Sequence, residues 1–346
     1  MPTLIDLAKS MDPQGKVAKV IELLNQSNEI IQYLNFIEGN LPTGHKGVVR
    51  TGLPAVTLRR FYQGVAPSQS GRDTIEDVCA MQEGRNEIDK ALADLNGNSA
   101  AYRMSEALAF VESMNQTFAQ QIMYGNTSTN KDGILGFTPR YNAIAGATNG
   151  QNIINAGGTG NACTSVWLIV TGENTVTGIY PKGSAAGLQQ TDLGEMDAFD
   201  SNMNRYRAYG EIWQWQYGLH VRDWRYAVRI ANISVSDLIN QTNTQANTAS
   251  TWLPYLMIRA FERIPSMGMG TPFFLANRTV KEMLGVGAVQ KTVYGLTMEQ
   301  AGNQFGSLGP GSVAGTGTGI RGGTVSFFKT PVLTMDQILS TESAIS

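Results

Sequence analysis

The residues of this chain that could do acid–base or metal chemistry are few and scattered. Histidine occurs only at His45 and His220, so a three-histidine metal site is impossible and a Ser/His/Asp triad must use one of the two. His220 falls on the polar face of a predicted strand and His45 lies beside two glycines, so we expect both to be structural or solvated. Cys79 and Cys163 stand far apart and in no motif, which argues against a disulfide framework and a cysteine-rich metal site.

The carboxylates Glu195, Asp197 and Asp200 form the only grouping that resembles an acid–base pair. They fall in the segment 181–204, whose composition predicts a turn-rich, solvated insert. A solvated loop leaves carboxylates at their ordinary acidity, so a catalytic role is not expected. A glycan-binding or glycan-cleaving β-protein stays an alternative, because exposed tryptophans and clustered acids serve such proteins. Loss of glycan turnover on changing Glu195 or Asp197 would support it.

One glycine pattern imitates a nucleotide-binding motif. Gly317, Gly319 and Gly322 spell G-x-G-x-x-G, but the mechanism needs a strand before the motif and a helix after it, so that the helix N-terminus meets the pyrophosphate. Here the motif follows a Gly/Ser tract and leads into a predicted strand at 324–328, so a loop is the better interpretation. The sequence therefore predicts no enzyme, no cofactor and no metal site.

Charge and composition favour contact with other protein surfaces. The chain of 346 residues has a formal net charge of −2 and only 16% charged residues, which is low for a protein that stays free in solution. Without a basic excess, strong binding to nucleic acid is not expected, although weak, non-specific contact with DNA is compatible with it. No stretch predicts a signal peptide or a membrane span, so we expect a cytosolic product with reduced thiols and no membrane partner.

The most informative element is a long aromatic strand within 206–233. Large apolar residues take the odd positions from Trp213 through Trp215 and Tyr217 to Val221, and this period of two is typical of a half-buried strand. After 222–223 the apolar set moves to even positions, which predicts a bulge or turn there. These aromatic residues belong either to a sandwich core or to a sheet shared between subunits. If Trp213 lies in a core, its change to Ala should cost roughly 3–5 kcal/mol.

A second long element is helical. Met104, Leu108, Val111 and Phe118 recur at helical spacing, and Gly125 supplies a stop, so the sequence predicts a spine helix at about 99–124. We expect these four residues to form structural core or interface together with Trp213, Trp215 and Tyr217. A shorter helix is predicted at 86–95, and the segment 1–40 reads as short helices, the last ending at Gly39.

Between these helices the pattern predicts an extended hairpin over 45–82. Its loop from 64 to 71 is polar and rich in Gly, Pro and Ser, and an isolated two-stranded hairpin is marginal in water. We therefore expect it to rest on a neighbouring subunit. The residues expected at that contact are Val56, Leu58, Arg59, Arg60, Phe61 and Tyr62, with Arg59 and Arg60 forming intersubunit ion pairs.

The rest of the chain divides into short elements. A hairpin is predicted from the β-favouring runs 165–170 and 175–179. Further helices are expected at 236–240, 251–263 and 277–284, the last capped by Asn277. Strands are expected at 272–275, 324–328 and 331–333, followed by a helical turn at 335–339. The segment 302–323 is dense in glycine.

The order of these parts resembles the major capsid protein of tailed bacteriophages, with the Hong Kong 97-type shell fold. Three stretches resemble the subfamily of short-tailed phages in particular. They are GIYPKG at 178–183; Gly218, Leu219, Val221, Asp223, Arg225 and Arg229-Ile230-Ala231-Asn232-Ile233; and, within 331–342, Asp336, Ile338-Leu339 and Thr341-Glu342.

The resemblance implies an α+β, Hong Kong 97-like capsid fold in four parts. These are an N-terminal arm (1–44), an extended loop (45–85), a peripheral domain with the spine helix and the long sheet (86–233), and an axial α/β domain with a C-terminal strand (234–346). In one respect the chain departs from the family's pattern, because the aromatic strand precedes the axial segment, which indicates a permuted connectivity.

The implied function is structural. The chain would self-assemble through pentamers and hexamers into an icosahedral phage head that encloses double-stranded DNA, assembled in the host cytoplasm and found in the virion. The implied partners are further copies of the chain, a separate scaffolding protein and a portal, with a cement protein left open. An encapsulin-like nanocompartment shares the fold, and cargo peptide in place of DNA in the lumen would distinguish it.

Overall fold

The computed structural model describes residues 26–94, 99–144, 148–240, 253–289 and 326–346. The described strands form one twelve-stranded sheet whose main path runs β11-β12-β10-β5-β6-β8-β3-β2. Their bounds are β1 Phe36–Glu38, β2 Gly44–Arg50, β3 Arg72–Asp89, β4 Ile153–Asn155, β5 Cys163–Thr171, β6 Val176–Tyr180, β7 Leu188–Phe199, β8 Arg205–Val221, β9 Ala227–Ser234, β10 Thr271–Ala276, β11 Ser326–Phe327 and β12 Thr330–Thr334.

Seven α-helices accompany the sheet in the described ranges. They are α1 Ile30–Tyr33, α2 Lys90–Ala93, α3 Ser99–Tyr124, α4 Phe137–Arg140, α5 Val235–Ile239, α6 Leu253–Arg263 and α7 Arg278–Val289. The spine helix α3 begins and ends where the sequence predicts, and Asn277 caps α7 by accepting a 2.9 Å hydrogen bond from the Val280 amide. The predicted helices at 1–24 and the glycine-dense segment 302–323 lie outside the described residues.

One half of the sheet is buried on both faces. Strand β5 is buried at every position and pairs antiparallel with β9 and β10. Because side chains alternate along a strand, Trp167 and Ile169 enter the core beneath α3. Val166 and Leu168 enter a second core that includes residues of α6 and α7. The strands in this half contain continuous apolar runs, as expected of a sheet that is covered on both faces.

The other half is built around the aromatic strand. Strand β8 pairs antiparallel with β3 from Cys79↔Gly218 to Asp89↔Ala208, and with β7 along most of its length. Trp213, Trp215 and Tyr217 are buried. The strand ends at Val221, and a short 3-10 turn at Trp224–Tyr226 separates it from β9, which confirms the break predicted at 222–223.

Several local predictions are wrong, and ladder pairing explains most of them. The predicted helix 86–95 shrinks to α2, because β3 continues to Asp89 along β8. The helix expected to end at Gly39 stops at Tyr33 and gives way to β1, which pairs with β6. The predicted turn-rich insert 181–204 contains the long edge strand β7. Sheet partners distant in sequence override local propensity at these positions.

Two further predictions differ from the structure. Strands β5 and β6 meet only at Thr171↔Val176, in parallel, and do not form an antiparallel hairpin. Along their lengths β5 pairs with β9 and β10, while β6 pairs with β8 and β1. The predicted helical turn at 335–339 is a single hydrogen-bonded turn from the Ile338 amide to the Met335 carbonyl, 3.1 Å long.

Candidate functional site

The hairpin is defined here as residues 44–78, made of β2, a connecting loop and the first part of β3. The two strands pair in register from Gly44↔Val78 to Arg50↔Arg72, which confirms the predicted hairpin. The strand β2 ends at Arg50, although the sequence favours strand as far as Tyr62. Few hydrogen bonds join the loop beyond it, among them a 2.8 Å bond from Ser68 Oγ to the Ala55 carbonyl.

The tip, residues 51–71, exposes the apolar side chains that the sequence assigns to an intersubunit contact. Leu58 is 99% exposed and Phe61 93% exposed. Val56 and Tyr62 are similarly exposed, and Arg59 and Arg60 are also exposed and have no ion pair within the described chain. The tip contains no Asp or Glu. Contiguous apolar exposure of this kind marks an interaction surface.

The hairpin joins the body through a buried charged cluster that the sequence did not predict as a site. The Asp77 carboxylate accepts a 2.6 Å hydrogen bond from Arg140 Nη2 and lies 2.8 Å from His220 Nδ1. The His45 ring packs against the His220 ring at a tilt of 58°, with centroids 4.6 Å apart. His220 is fully buried, although alternation places it on the polar face of β8. These four residues, His45, Asp77, Arg140 and His220, are called the hinge cluster below.

Burial and charge shift the acidities in the hinge cluster. Burial opposes ionisation of Asp77, but the His220 hydrogen bond and the Arg140 charge outweigh it and hold the pKa of Asp77 below its usual value. Burial, followed by the charges of His220 and Arg222, lowers the pKa of His45. The neighbouring Cys79 thiol has its pKa raised by burial to about 11, so it is an unreactive thiol at neutral pH.

The C-terminal half of the spine helix anchors the aromatic strand. Phe118 on α3 stacks on Trp215 with ring centroids 4.5 Å apart and meets the edge of Tyr217 at 4.8 Å. Aromatic pairs in these arrangements add stability beyond their buried area. Trp213 is buried in the same strand, where it pairs with Gly84 of β3. The sequence placed these aromatic residues in a core or an interface, and in the single chain they lie in a core.

The N-terminal half of the spine helix carries three of the residues predicted to form core or interface, and in the single chain they are not in the core. Met104 is 67% exposed and Leu108 54% exposed, and Val111 is also exposed. The three residues share one side of α3, because they are four and three positions apart. Helical spacing indicated an apolar face correctly, but this face is turned away from the chain's own core.

A second buried charge pair ties the C-terminal segment to the sheet. Arg229 Nη2 donates to Glu342 Oε2 at 3.0 Å, Tyr124 Oη donates to the other carboxylate oxygen at 2.6 Å, and Ser165 also donates to Glu342. Burial and the adjacent Glu342 charge raise the pKa of Tyr124. Arg229 and Glu342 belong to two of the sequence stretches that resemble the short-tailed phage subfamily. The buried ion pair between them is a physical reason for these two residue types at these positions.

The three clustered carboxylates have structural partners. Glu195 accepts a hydrogen bond from Lys90 Nζ, and this bond lowers the pKa of Glu195. Asp197 Oδ1 lies 3.5 Å from Arg207 Nε. Asp200 accepts backbone hydrogen bonds from Asn202 and Asn204 in the β7–β8 turn, and these bonds lower its pKa. A lowered pKa is the opposite of what a general acid needs.

Among the described residues, no three His, Cys, Asp or Glu side chains are grouped closely enough to hold a metal ion. No described helix combines the length and apolar character needed to cross a membrane.

Comparison with known proteins gives a consistent result. The family model described as major capsid protein GP7 matches residues 12–346. A chain in the structure of bacteriophage Epsilon15 is 28% identical with a TM-score of 0.71, and the match covers 100% of this chain and 97% of that one. None of the curated proteins matches.

Two more distant structures have TM-scores too low to assign a function. The capsid of bacteriophage JBD30 is 7% identical with a TM-score of 0.44, covering 76% of this chain and 83% of that one. The SrpI encapsulin of Synechococcus elongatus PCC 7942 is 8% identical with a TM-score of 0.43, covering 68% and 96%.

Proposed function

Because this chain belongs to the major capsid protein GP7 family, its role is structural and its place is the virion, and we propose that its hairpin joins neighbouring copies into an icosahedral head. The observation that carries this proposal is the tip, whose large apolar side chains are almost fully exposed. Fully burying one such side chain is worth about 1.5–3 kcal/mol. A tip that has no core of its own gains this energy only against another surface.

The contact is proposed to be head-to-tail. Identical subunits that contact through two different patches form closed rings when the rotation between them closes, and rings of five and six then build a closed shell around double-stranded DNA. The loop of the tip has few internal hydrogen bonds. It can therefore adopt the slightly different angles that pentamers and hexamers require.

The receiving surface is proposed to be the exposed side of the spine helix. Met104, Leu108 and Val111 form an exposed apolar face on the described part of the chain. Packing the tip of one subunit on this face of its neighbour would remove both apolar surfaces from water in a single contact. Arg59 and Arg60 would then lie at the rim, where we expect ion pairs with the neighbouring copy.

A pair of matched variants tests the tip. Leu58→Asp removes an exposed leucine and adds one charge, whereas Gln69→Asp adds the same charge at an exposed polar position of the same tip. We expect both to fold like the wild type by circular dichroism, and only Leu58→Asp to lose shells by sedimentation and electron microscopy. Normal shells from Leu58→Asp would refute the proposed contact.

The division of the chain follows from the same proposal. The hairpin is the extended loop (45–85), the spine helix and β8 belong to a peripheral domain (86–233), and α5–α7 belong to an axial domain (234–346), after an N-terminal arm (1–44). Electron microscopy of shells at a resolution that separates subunits would test whether these four parts occupy separate positions in the lattice.

Further partners and the absence of catalysis are also proposed. We expect a separate scaffolding protein, a portal, and assembly in the host cytoplasm, with a cement protein left open; uniform shells from purified chain alone would argue against the scaffold. The net charge of −2 supports only weak, non-specific contact with packaged DNA. The structural partners of Glu195, Asp197 and Asp200 support a non-enzymatic role.

The encapsulin-like alternative is weaker. The matching family model is that of a major capsid protein and spans nearly the whole chain, and the likeness to the Epsilon15 chain also covers all of it. Particles purified from producing cells that hold a protein cargo and no DNA would favour the encapsulin-like function.

A further inference from the structure

The hairpin leaves the body of the molecule at one point on β3. Residues 72–78 of β3 pair only with β2, and from Cys79 onward the same strand pairs with β8. The strands are tightly packed at this fork, since a Cβ on Gly218 would lie 2.8 Å from the Val78 carbonyl oxygen. A change of angle at the fork therefore moves the whole hairpin relative to the sheet.

The hinge cluster occupies this fork and takes one residue from each of four elements, while β6 pairs with β8 there at Thr177↔His220. His45 comes from β2, Asp77 from β3, His220 from β8 and Arg140 from α4. Asp77 also accepts a 3.3 Å hydrogen bond from the Val221 amide. Its carboxylate thus bonds to three groups of the body and holds the hairpin strand against them.

The two imidazoles in this cluster are not fully satisfied. His220 Nδ1 faces the Asp77 carboxylate, which as an anion can only accept a hydrogen bond, so Nδ1 is the donor. Among the described residues, His220 Nε2 and His45 Nδ1 are buried and have no hydrogen-bond partner. A buried polar atom without a partner is costly. Gly47 of β2 lies against His220, because a Cβ there would come within 3.1 Å of Nε2. The His220 ring is therefore packed between the hairpin and the sheet, and the partly buried His45 ring lies against it.

We infer that the hinge cluster is a proton-operated hinge, which holds the hairpin in place while His45 is neutral and loosens it when His45 is charged. The groups facing His45 are His220 and Arg222, which oppose its charge, and Asp77, which favours it. Asp77 is already engaged by His220 and Arg140. A proton on His45 thus adds positive charge beside Arg222 and the His220 ring, between packed strands.

The direction with pH follows from the lowered pKa of His45. The open fork, in which His45 is hydrated, binds the proton more readily than the closed fork. The closed fork is therefore favoured above the ordinary histidine pKa of 6.5. That preference is lost progressively as the pH falls below this value and through the lowered pKa. The proposed hinge lies at the root of the hairpin within one chain, so its test does not depend on what the tip contacts.

Hydrogen exchange of the full chain tests the hinge. Protection factors, which correct for chemical exchange rates, are compared at about pH 7.5 and about pH 5 for the root amides, including the Cys79 amide that donates to the Thr43 carbonyl. We expect the wild type to lose root protection at acid pH, by about tenfold for each unit by which the pKa of His45 is lowered, up to a limit of about thirtyfold at pH 5. Unchanged wild-type protection at both pH values would overturn the inference.

Three variants make the test specific. His45→Gln removes the titrating group and should abolish the acid loss, and Arg222→Gln removes a facing cation and should reduce it. Glu76→Gln, in an exposed pair with Lys46 on the same hairpin, should respond like the wild type. If His45→Gln loses as much protection as the wild type, or if Glu76→Gln alone abolishes the loss, the hinge is refuted. Arg222→Gln keeps the test decisive if His45→Gln does not fold.

Discussion

At the scale of single residues, two buried ion pairs join segments that are distant in sequence. The Arg229–Glu342 pair and the Asp77–Arg140 pair have side chains that are at most 10% exposed. Buried ion pairs contribute little net stability against an apolar replacement, but removing one partner leaves an uncompensated charge. Such pairs therefore fix which segments meet: the C-terminal segment with β9, and the hairpin with α4.

The first prediction concerns Glu342. Glu342→Gln leaves Arg229 buried without a counter-charge, so the free energy of unfolding of the unassembled chain should fall by about 3–5 kcal/mol, measured by urea titration. Asp197→Asn breaks the exposed pair with Arg207 and should change it by less than about 1 kcal/mol. A similar small change in both variants would show that the buried pair does not fix the C-terminal segment.

The second prediction concerns the aromatic core. Trp215 is 9% exposed and stacks on Phe118, so Trp215→Ala should cost about 3–5 kcal/mol of unfolding free energy, read from the same titration. Trp213→Ala is expected to behave alike, because Trp213 is buried in the same strand. An unchanged titration midpoint for Trp215→Ala would place this ring outside the core.

At the scale of elements, how well the sequence predicts the structure depends on where each element finds its partners. Alternation of apolar residues from Trp213 to Val221 identified β8, and helical spacing identified α3, because both patterns are local. Strand β7 was missed, since its exposed positions carry Gln, Thr and Asp with no clear period. The end of β3 was missed because its pairing partner, β8, lies more than 100 residues further along the chain.

The candidate site was predicted only in part for the same reason. The sequence shows that the tip is apolar. The structure adds that these apolar side chains are exposed and therefore available for contact with another surface. The hinge cluster could not be predicted, because its four residues come from separate elements and none of them lies in a motif. Alternation assigned His220 to a polar face correctly, but did not reveal that the hairpin covers this face.

The third prediction concerns the spine helix. Met104→Gln with Leu108→Gln replaces exposed apolar side chains by good helix formers, so unfolding free energy should change by no more than about 0.5 kcal/mol. Shell yield should fall, because the proposed receiving surface is altered. Ala109→Gln, also exposed on α3 but about 100° round the helix from Leu108, should leave the yield unchanged. Equal shell yields from the wild type, the double variant and Ala109→Gln would exclude this face as the receiving surface.

At the scale of the whole molecule, the proposed contact makes each chain both a donor of a tip and a receiver of one. A subunit with a defective tip can still receive the tip of a neighbour but cannot pass the contact on. Defective subunits should therefore stop growing assemblies instead of merely being left out.

The fourth prediction follows from this polarity. When Leu58→Asp chains are mixed with wild-type chains before assembly, shell yield should fall more steeply than the wild-type fraction, because each ring needs every contact. Gln69→Asp chains should be incorporated without loss. Sedimentation of mixtures in fixed ratios measures the effect, and a yield that simply follows the wild-type fraction would show that tips act independently.

The fifth prediction concerns acid stability. The pKa of Asp77 lies below its ordinary value of 3.8, so Asp77 contributes stability that is present above this value and is lost as the pH falls through its lowered pKa. The wild type should therefore lose thermal stability more steeply than Asp77→Asn in this acid range. Parallel melting curves against pH for the two chains would contradict it.

The pairing of β5 with β9 and β10 also determines how the polypeptide reaches its native state. These partners are joined across roughly 60 to 100 residues of intervening chain, and such long loops must close before the central sheet gains any pairing energy. Contacts this distant slow folding. Newly made chains therefore expose incomplete cores and the apolar tip at the same time, and both favour aggregation. Production at lower temperature and lower protein concentration should raise the fraction of native protein relative to precipitate.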